Sequence, residues 1–371
     1  RPNQLYSALT FKGADAWRAH LRTDLKGSLG FSEFLDIHDD AALHALMTNL
    51  GGHDLEYLIE TFDAVRDETP RCFIAYTIKG YGLPIAGHKD NHAGLMTPEQ
   101  MAIFRTANQV PEGSEWEPFA GLGIDPEILD KFLHDVPYRA KPASSVRSPL
   151  IRRPPALAPR AARTSTQAVF GDILKELGDS DDVLADYIVT ASPDVAVSTN
   201  LGAWINQRAI YHRHAQSDIF HQENLLSPLK WTMRSGGQHI ELGIAEHNLF
   251  LLLGVLGLSE DLFGVRLLPI GTVYDPFVNR GLDALIYACY QNARFMVAGT
   301  PSGISLAPEG GAHQSIATPL IGIGQPGLAS FEPAYADELR EIMGWGFGYM
   351  QDADGGAVYL RLSTVALEQS G

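Results

Sequence analysis

Beyond Thr164 the chain alternates short apolar runs with segments whose apolar residues recur at helical spacing, and this alternation restricts the fold more than any other feature. Val169, Ile173 and Leu177 mark one helix face, Tyr187 to Ala191 a strand, His239 to Leu242 a second strand and Ala245 to Leu258 a helix. Leu282, Leu285, Ile286 and Cys289 mark another helix, Phe295 to Gly299 a strand, Leu339, Ile342 and Met343 a helix, and Val358 to Leu362 a last strand. Parallel neighbours need crossover helices that cover the sheet, so the pattern predicts an α/β fold, a mostly parallel sheet with helices on both faces. Ligands of such sheets sit beyond the carboxyl ends of the strands, where Gly243, Tyr274 and the loop Pro301 to Ser315 fall.

Residues 1–107 read as part of a preceding α/β domain. Asp54 is placed to cap the helix Leu55 to Val65, whose Leu55, Leu58, Ile59, Phe62 and Val65 share one face. Phe73 to Ile78 then reads as a short buried strand and Lys79-Gly-Tyr-Gly82 as its glycine-rich exit. The loop from Leu83 to Met96 carries His88 and His92, and Thr97-Pro98 suits a helix cap and first turn. Residues 108–163 read as a Pro-rich linker, with prolines and arginines crowded between Pro142 and Arg163. Residues 164–371 form the regular domain described first.

A chain of 371 residues, 45% of them hydrophobic, is long enough for more than one core. Its formal charge of −16 opposes non-specific binding to nucleic acid or to anionic membranes. Cys72 and Cys289 show neither disulfide nor zinc spacing, so a reducing, cytoplasmic setting is expected. The longest apolar run, Leu249 to Leu258, is too short to cross a bilayer and suits a buried helix.

Four places carry residues suited to chemistry. Glu246 follows a strand-to-helix turn beside an apolar helix, so it reads either as a first-turn acid facing the helix dipole or as a desolvated carboxylate with a raised pKa. Tyr274 and Phe277 follow a strand and suit either the core or stacking on a heteroaromatic ring. His313 follows Glu309-Gly-Gly, a segment that lets backbone approach a ligand, and an imidazole there suits proton transfer or a structural hydrogen bond. Asp194, in Ser192-Pro-Asp-Val-Ala-Val-Ser198, reads as a turn former or as an acid near a ligand.

The segments Ile-Glu-Leu-Gly-Ile-Ala-Glu246-His-Asn, Tyr274-Asp-Pro-Phe277 and Pro-Glu-Gly-Gly-Ala-His313-Gln resemble, in series, the pyrimidine-binding domain of the thiamine diphosphate-dependent transketolase and homodimeric 2-oxoacid (pyruvate) dehydrogenase E1 family. The resemblance runs from about Met47 to Thr364. It implies that Glu246 activates the aminopyrimidine of thiamine diphosphate, that Phe277 and Tyr274 pack on the cofactor, that Asp194 approaches it and that His313 faces the substrate carbonyl. It also implies that His92, in Asp-Asn-His-Ala-Gly, acts in acyl transfer, and that residues 1–107 end a diphosphate-binding domain ahead of a pyrimidine-binding domain at 164–371.

Thr300-Pro301-Ser302 and Leu362-Ser363-Thr364 stand where transketolases carry sugar-recognising histidine and phosphate-binding arginine, which favours the 2-oxoacid branch. The expected activity is oxidative decarboxylation of a 2-oxoacid, pyruvate, with reductive acylation of a lipoyl domain on an E2 partner, by a homodimer. A transketolase-like ketol transferase and a non-catalytic dimerisation or regulatory module are the alternatives. The family's Mg2+ is held through a Gly-Asp-Gly segment that this chain lacks, so metal ligands are expected upstream of Met47. A first residue Arg1 rather than Met, with no C-terminal domain after Thr364, suggests a piece of a longer protein.

Overall fold

The structure is a computed structural model that describes residues 2–136, 162–181, 183–225, 227–230, 232–305 and 310–369. The chain divides into two compact units, Arg1–Arg139 and Ala140–Gly371.

The described part of the first unit consists of helices α1 (Pro2–Lys12), α2 (Ala14–Asp24), α3 (Phe31–Ile37), α4 (Asp40–Thr48), α5 (Leu55–Asp63), α6 (Pro98–Ala107) and α7 (Pro126–His134). Local chemistry sets several of their starts. Asp54 Oδ1 accepts from the Tyr57 N–H at 3.0 Å, and Thr97 and Gln100 form a reciprocal capping box with Pro98 in the first turn. Asp125 Oδ1 accepts from the Glu127 N–H at 2.9 Å and Pro126 takes the first turn of α7, inside the stretch expected as linker. The Pro142 to Pro159 stretch lies outside the described residues.

The strand expected at residues 73–78 does not form. Its composition suits a buried strand, but the described part of this unit offers no neighbouring strand, and a lone strand leaves its backbone groups without a ladder. The segment is held by irregular bonds instead. Gly52 N–H donates to the Tyr76 carbonyl at 3.1 Å, and the Ile78 N–H donates to His53 Nε2 at 2.7 Å. Ile74 is left 89% exposed.

The second unit opens with β1 (Arg163–Thr164), followed by α8 (Thr166–Asp179), α9 (Leu184–Tyr187), β2 (Ile188–Ser192), α10 (Gly202–Arg208), β3 (Ile210–Tyr211), α11 (Ile219–Gln222), β4 (Met233–Arg234) and β5 (His239–Glu241). It continues with α12 (Glu246–Gly257), α13 (Ser259–Phe263), β6 (Leu268–Val273), a 3-10 turn (Asp275–Gly281), α14 (Leu282–Tyr290), β7 (Met296–Gly299), α15 (Thr318–Gly324), β8 (Leu328–Phe331), α16 (Ala336–Tyr349), β9 (Ala357–Arg361) and β10 (Leu367–Glu368). Eight strands form one sheet in the order β4-β3-β5-β2-β6-β7-β9-β8, and every pairing is parallel. β1 and β10 form a separate antiparallel pair.

Alternate residues of each central strand enter different cores, as the two-residue period of a strand requires. Met296, Ala298, Val358 and Leu360 pack with α8, α10 and α16 through Phe170, Trp204 and Phe347. Val297, Ala357 and Tyr359 pack on the other side with α12 and α14 through Leu249, Phe250 and Leu285. Both faces of the sheet are thus covered, and each such Leu or Phe, when fully buried, contributes about 1.5–3 kcal/mol. Strand order reverses around β2, whose neighbours are β5 and β6. In open parallel sheets the loops part at such a switch point, and a ligand crevice lies there at the carboxyl ends of the strands.

Candidate functional site

Each loop at that crevice delivers residues singled out by the sequence. After β5, Gly243 turns the backbone with φ 65°, and Glu246 begins α12 with 8% exposure. Its Oε1 accepts from Arg280 Nη1 at 2.7 Å, and Oε2 has no hydrogen-bond partner among the described residues. Burial of the carboxylate follows the expectation, whereas the arginine partner is new.

After β6, the 3-10 turn puts Phe277 and Arg280 on one side. The Arg280 guanidinium lies 3.9 Å from the centre of the Phe277 ring, so it covers one aromatic face while it holds Glu246. Tyr274, Phe277 and His313 form a triangle of rings. Their centroids are 6.1 Å apart for Tyr274 and Phe277, 5.5 Å for Tyr274 and His313, and 5.4 Å for Phe277 and His313. The imidazole meets the other two rings at 75° and 62°, an edge-to-face arrangement favoured by the aromatic quadrupole. His313 arrives on the loop after β7, which is closed at its base where the Ser315 N–H donates to the Gly303 carbonyl at 2.9 Å and the Gly303 N–H donates to Ser315 Oγ at 3.1 Å. Residues 306–309, Glu309 among them, lie outside the described residues.

After β2, Asp194 adopts φ 62°, a left-handed conformation that Asp tolerates better than most residues. Its backbone N–H donates to Glu241 Oε1 at 2.8 Å. Four residues later Ser198 Oγ accepts from the Tyr274 hydroxyl at 3.0 Å. Ser198, rather than the Asp194 carboxylate, is therefore what this loop brings to the ring triangle.

Glu241 was not singled out by sequence. It also accepts from the backbone N–H groups of Leu242 at 3.1 Å and Gly243 at 3.4 Å, and from Ser192 Oγ at 3.2 Å. His239 Nε2 lies 3.4 Å from it, with Nδ1 paired to Thr190 Oγ1 at 2.9 Å. Burial works against the Glu241 charge, yet the hydrogen bonds from His239 and the Asp194 N–H outweigh it and hold the carboxyl below its ordinary range. The alternation that buries His239 and Glu241 on one strand was the available signal, since polar residues facing inward need partners.

His92 lies in the first unit. Its Nδ1 pairs with Lys79 Nζ at 2.6 Å, which links the Lys-Gly-Tyr-Gly exit to the histidine loop. His88 packs edge-on against Phe11, and His53 stacks on Tyr81 with ring centres 3.8 Å apart. Among the described residues no group of three or more His, Cys, Asp or Glu side chains is arranged to hold a metal ion, and no helix is long and apolar enough to cross a membrane.

No protein-family model matches the chain. It is 25% identical over 329 residues to the pyruvate dehydrogenase E1 component of Corynebacterium glutamicum, an alignment covering 81% of this chain and 35% of that protein. The E1 component of Mycobacterium tuberculosis is 26% identical over 328 residues, covering 81% and 34%. The chain thus spans about a third of the length of these relatives. In fold it is similar to the transketolase of Campylobacter jejuni, with a TM-score of 0.57 at 16% identity over 86% of this chain and 46% of that one. A transketolase variant of Pichia stipitis gives 0.51 at 13% identity, over 99% and 60%. The chain is thus similar in sequence to pyruvate dehydrogenase E1 components and in fold to transketolases, the two branches of the family that its motifs resemble.

Proposed function

We propose that this chain supplies the pyrimidine-facing part of a thiamine diphosphate site in an E1-type enzyme that oxidatively decarboxylates pyruvate and acylates a lipoyl domain of an E2 partner. Residues 164–371 are the pyrimidine-binding domain in this reading, and residues 1–107 the end of a diphosphate-binding domain. The observation that carries it is the contiguity of Glu246, Arg280, Phe277, His313 and Tyr274 at the carboxyl ends of β5, β6 and β7.

The residues suit an aminopyrimidine. A buried carboxylate with one unbonded oxygen offers an acceptor to a ring N–H, and three aromatic side chains within about 6 Å of one another offer faces and edges to a flat heterocycle. When bound, thiamine diphosphate supplies the electron sink that decarboxylation of a 2-oxoacid needs. The protein supplies orientation and proton management. Glu246 holds the pyrimidine-side proton, Phe277 and Tyr274 fix the ring plane, and His313 exchanges a proton at the substrate carbonyl oxygen. In the same reading Asp194 approaches the cofactor and His92 serves acyl transfer to the lipoyl group. The protein works as a homodimer, with Mg2+ held by residues other than those described.

The E1 branch is favoured over ketol transfer by one feature of the site. Arg361, at the end of β9, is 3% exposed and is paired with both Asp275 and Glu332, so its charge is already compensated and does not offer a phosphate anchor. The test is pyruvate-dependent dye reduction by the complete gene product containing this chain, with thiamine diphosphate and Mg2+. Glu246→Gln should lower the rate by about 10²–10⁴-fold while leaving the fold intact. Turnover of ketose phosphates with none of pyruvate would select the transketolase reading; no thiamine response at all would select a non-catalytic module.

A further inference from the structure

Directly between Tyr274 and Phe277 in sequence runs a residue that the chemistry above does not use. Asp275 is fully buried, and the polar groups around it come from three pieces of the site's framework, the His313 loop, α15 and β9. Its Oδ2 accepts from Thr318 Oγ1, in the first turn of α15, at 2.6 Å, and from Ser315 Oγ, two residues beyond His313. Arg361 Nε donates to the same oxygen at 3.3 Å, and the Tyr359 hydroxyl donates to Oδ1. The end of β7 closes the cage, because a side chain at Gly299 would collide with Oδ1. Arg361 in turn reaches the Ser315 carbonyl at 3.4 Å and the Glu332 carboxylate.

We infer that Asp275 is a positioning residue whose buried carboxylate locks the Tyr274–Phe277 turn to the His313 loop and so sets the ring triangle. This inference rests on the proposed reading of that triangle as the cofactor-facing surface. The physical case is one of alternatives. A carboxylate taken from water is costly unless its lone pairs are filled, and here hydroxyls of three residues and one guanidinium fill them. The donors sit on three elements, Ser315 on the His313 loop, Thr318 on α15, and Tyr359 and Arg361 on β9, so the four bonds form together only in one arrangement of these elements around the turn after β6. Burial and the adjacent Asp275 carboxylate push the Tyr359 phenol well above its ordinary pKa, which keeps it a donor throughout the physiological range. On the loop side Ser315 is also tied at its base, accepting at Oγ from the Gly303 N–H at 3.1 Å. The consequence is a shared origin for two groups that meet from opposite sides: His313 and the Tyr274–Phe277 pair are both within two residues of a bond to one carboxylate.

The test reads geometry rather than turnover. His313 lies edge-on to two aromatic rings, so ring currents displace its Cε1–H resonance from the value in an unstructured peptide. In the full chain, assigned with His313→Gln, that displacement should be largely lost in Asp275→Asn and reduced in Ser315→Ala and Thr318→Val. Tyr359→Phe, which removes a donor on the sheet side, should retain it even though it also costs stability. Should Asp275→Asn fail to fold, the Ser315 and Thr318 variants carry the test alone. An unchanged His313 resonance in folded Ser315→Ala and Thr318→Val, or a loss in Tyr359→Phe as large as theirs, would overturn the inference. Adding thiamine diphosphate and Mg2+ to the complete gene product containing this chain separates the two layers: silence of Tyr274, Phe277 and His313 resonances there would sink the cofactor reading and leave the lock standing.

Discussion

The two units use the same kind of amphipathic helix to opposite ends. In the second unit, α8 buries Val169, Phe170, Ile173, Leu174 and Leu177 against a sheet, and the opposite face of that sheet is covered by α12 and α14. In the first unit α5 has a comparably clear apolar stripe, yet Leu55 is 72% and Ile59 60% exposed, and α5, α6 and α7 bury no residue fully. Periodicity therefore specifies which face a helix would bury; only a partner layer makes the burial real.

The widest gap between the units should appear in amide hydrogen exchange of the whole chain. Amides of β2, β6 and β7 should exchange only through global opening, whereas those of α5 and α6 should exchange through local fraying, orders of magnitude faster. Equal protection in the two units would break the comparison. Single substitutions sharpen it. Phe250→Ala, in a fully buried position, should cost about 3–5 kcal/mol, while Ile59→Ala should stay within about 0.5 kcal/mol, both by denaturant titration.

Acid should discriminate next. The folded-state pKa of Glu241 is depressed, so its contribution is fully present above the ordinary glutamate value near 4.3 and is lost as pH falls through the lowered one. Glu241→Gln should therefore be less stable than the parent at neutral pH, with the difference closing as pH drops below about 4. Asp40 in the first unit is also lowered, chiefly by its hydrogen bond from Arg18, but it is exposed; Asp40→Asn should change stability little and less still in high salt. The smallest effect concerns the thiols. Burial pushes Cys289 up to about 11, while Cys72 is exposed. A charged thiol reagent at neutral pH should modify Cys72 and leave Cys289 untouched in the native protein, as peptide mass mapping would show.

The same contrast explains what could be read from the residues alone. The strands β2, β5, β7 and β9 and the long helices of the second unit were legible, because their periods recur and their cover is internal, whereas β6 was read only as the strand before Tyr274. β3, β4 and β8 were not, since two to four residues at or near a sheet edge carry no period to detect. The apolar run at 73–78 looks like a buried strand by every local measure and fails for want of a neighbour, a fact that lies outside the run itself. At the site, Glu246, Tyr274, Phe277 and His313 were legible through their motifs, and the structure gathers them. Arg280, Glu241, Asp275 and Arg361 were not, because their meaning lies in who faces them. A lone arginine closing the apolar run of β9 was nonetheless a signal: a buried guanidinium there implies a carboxylate somewhere opposite.

The short antiparallel pair of β1 and β10 has a mechanical consequence. Arg163 lies across from Glu368 and Thr164 from Leu367, so the strands leading into and out of the large sheet run side by side. Tension applied through the flanking chain would open this clasp one rung at a time, as a zipper opens, before any load reached β2 or β6.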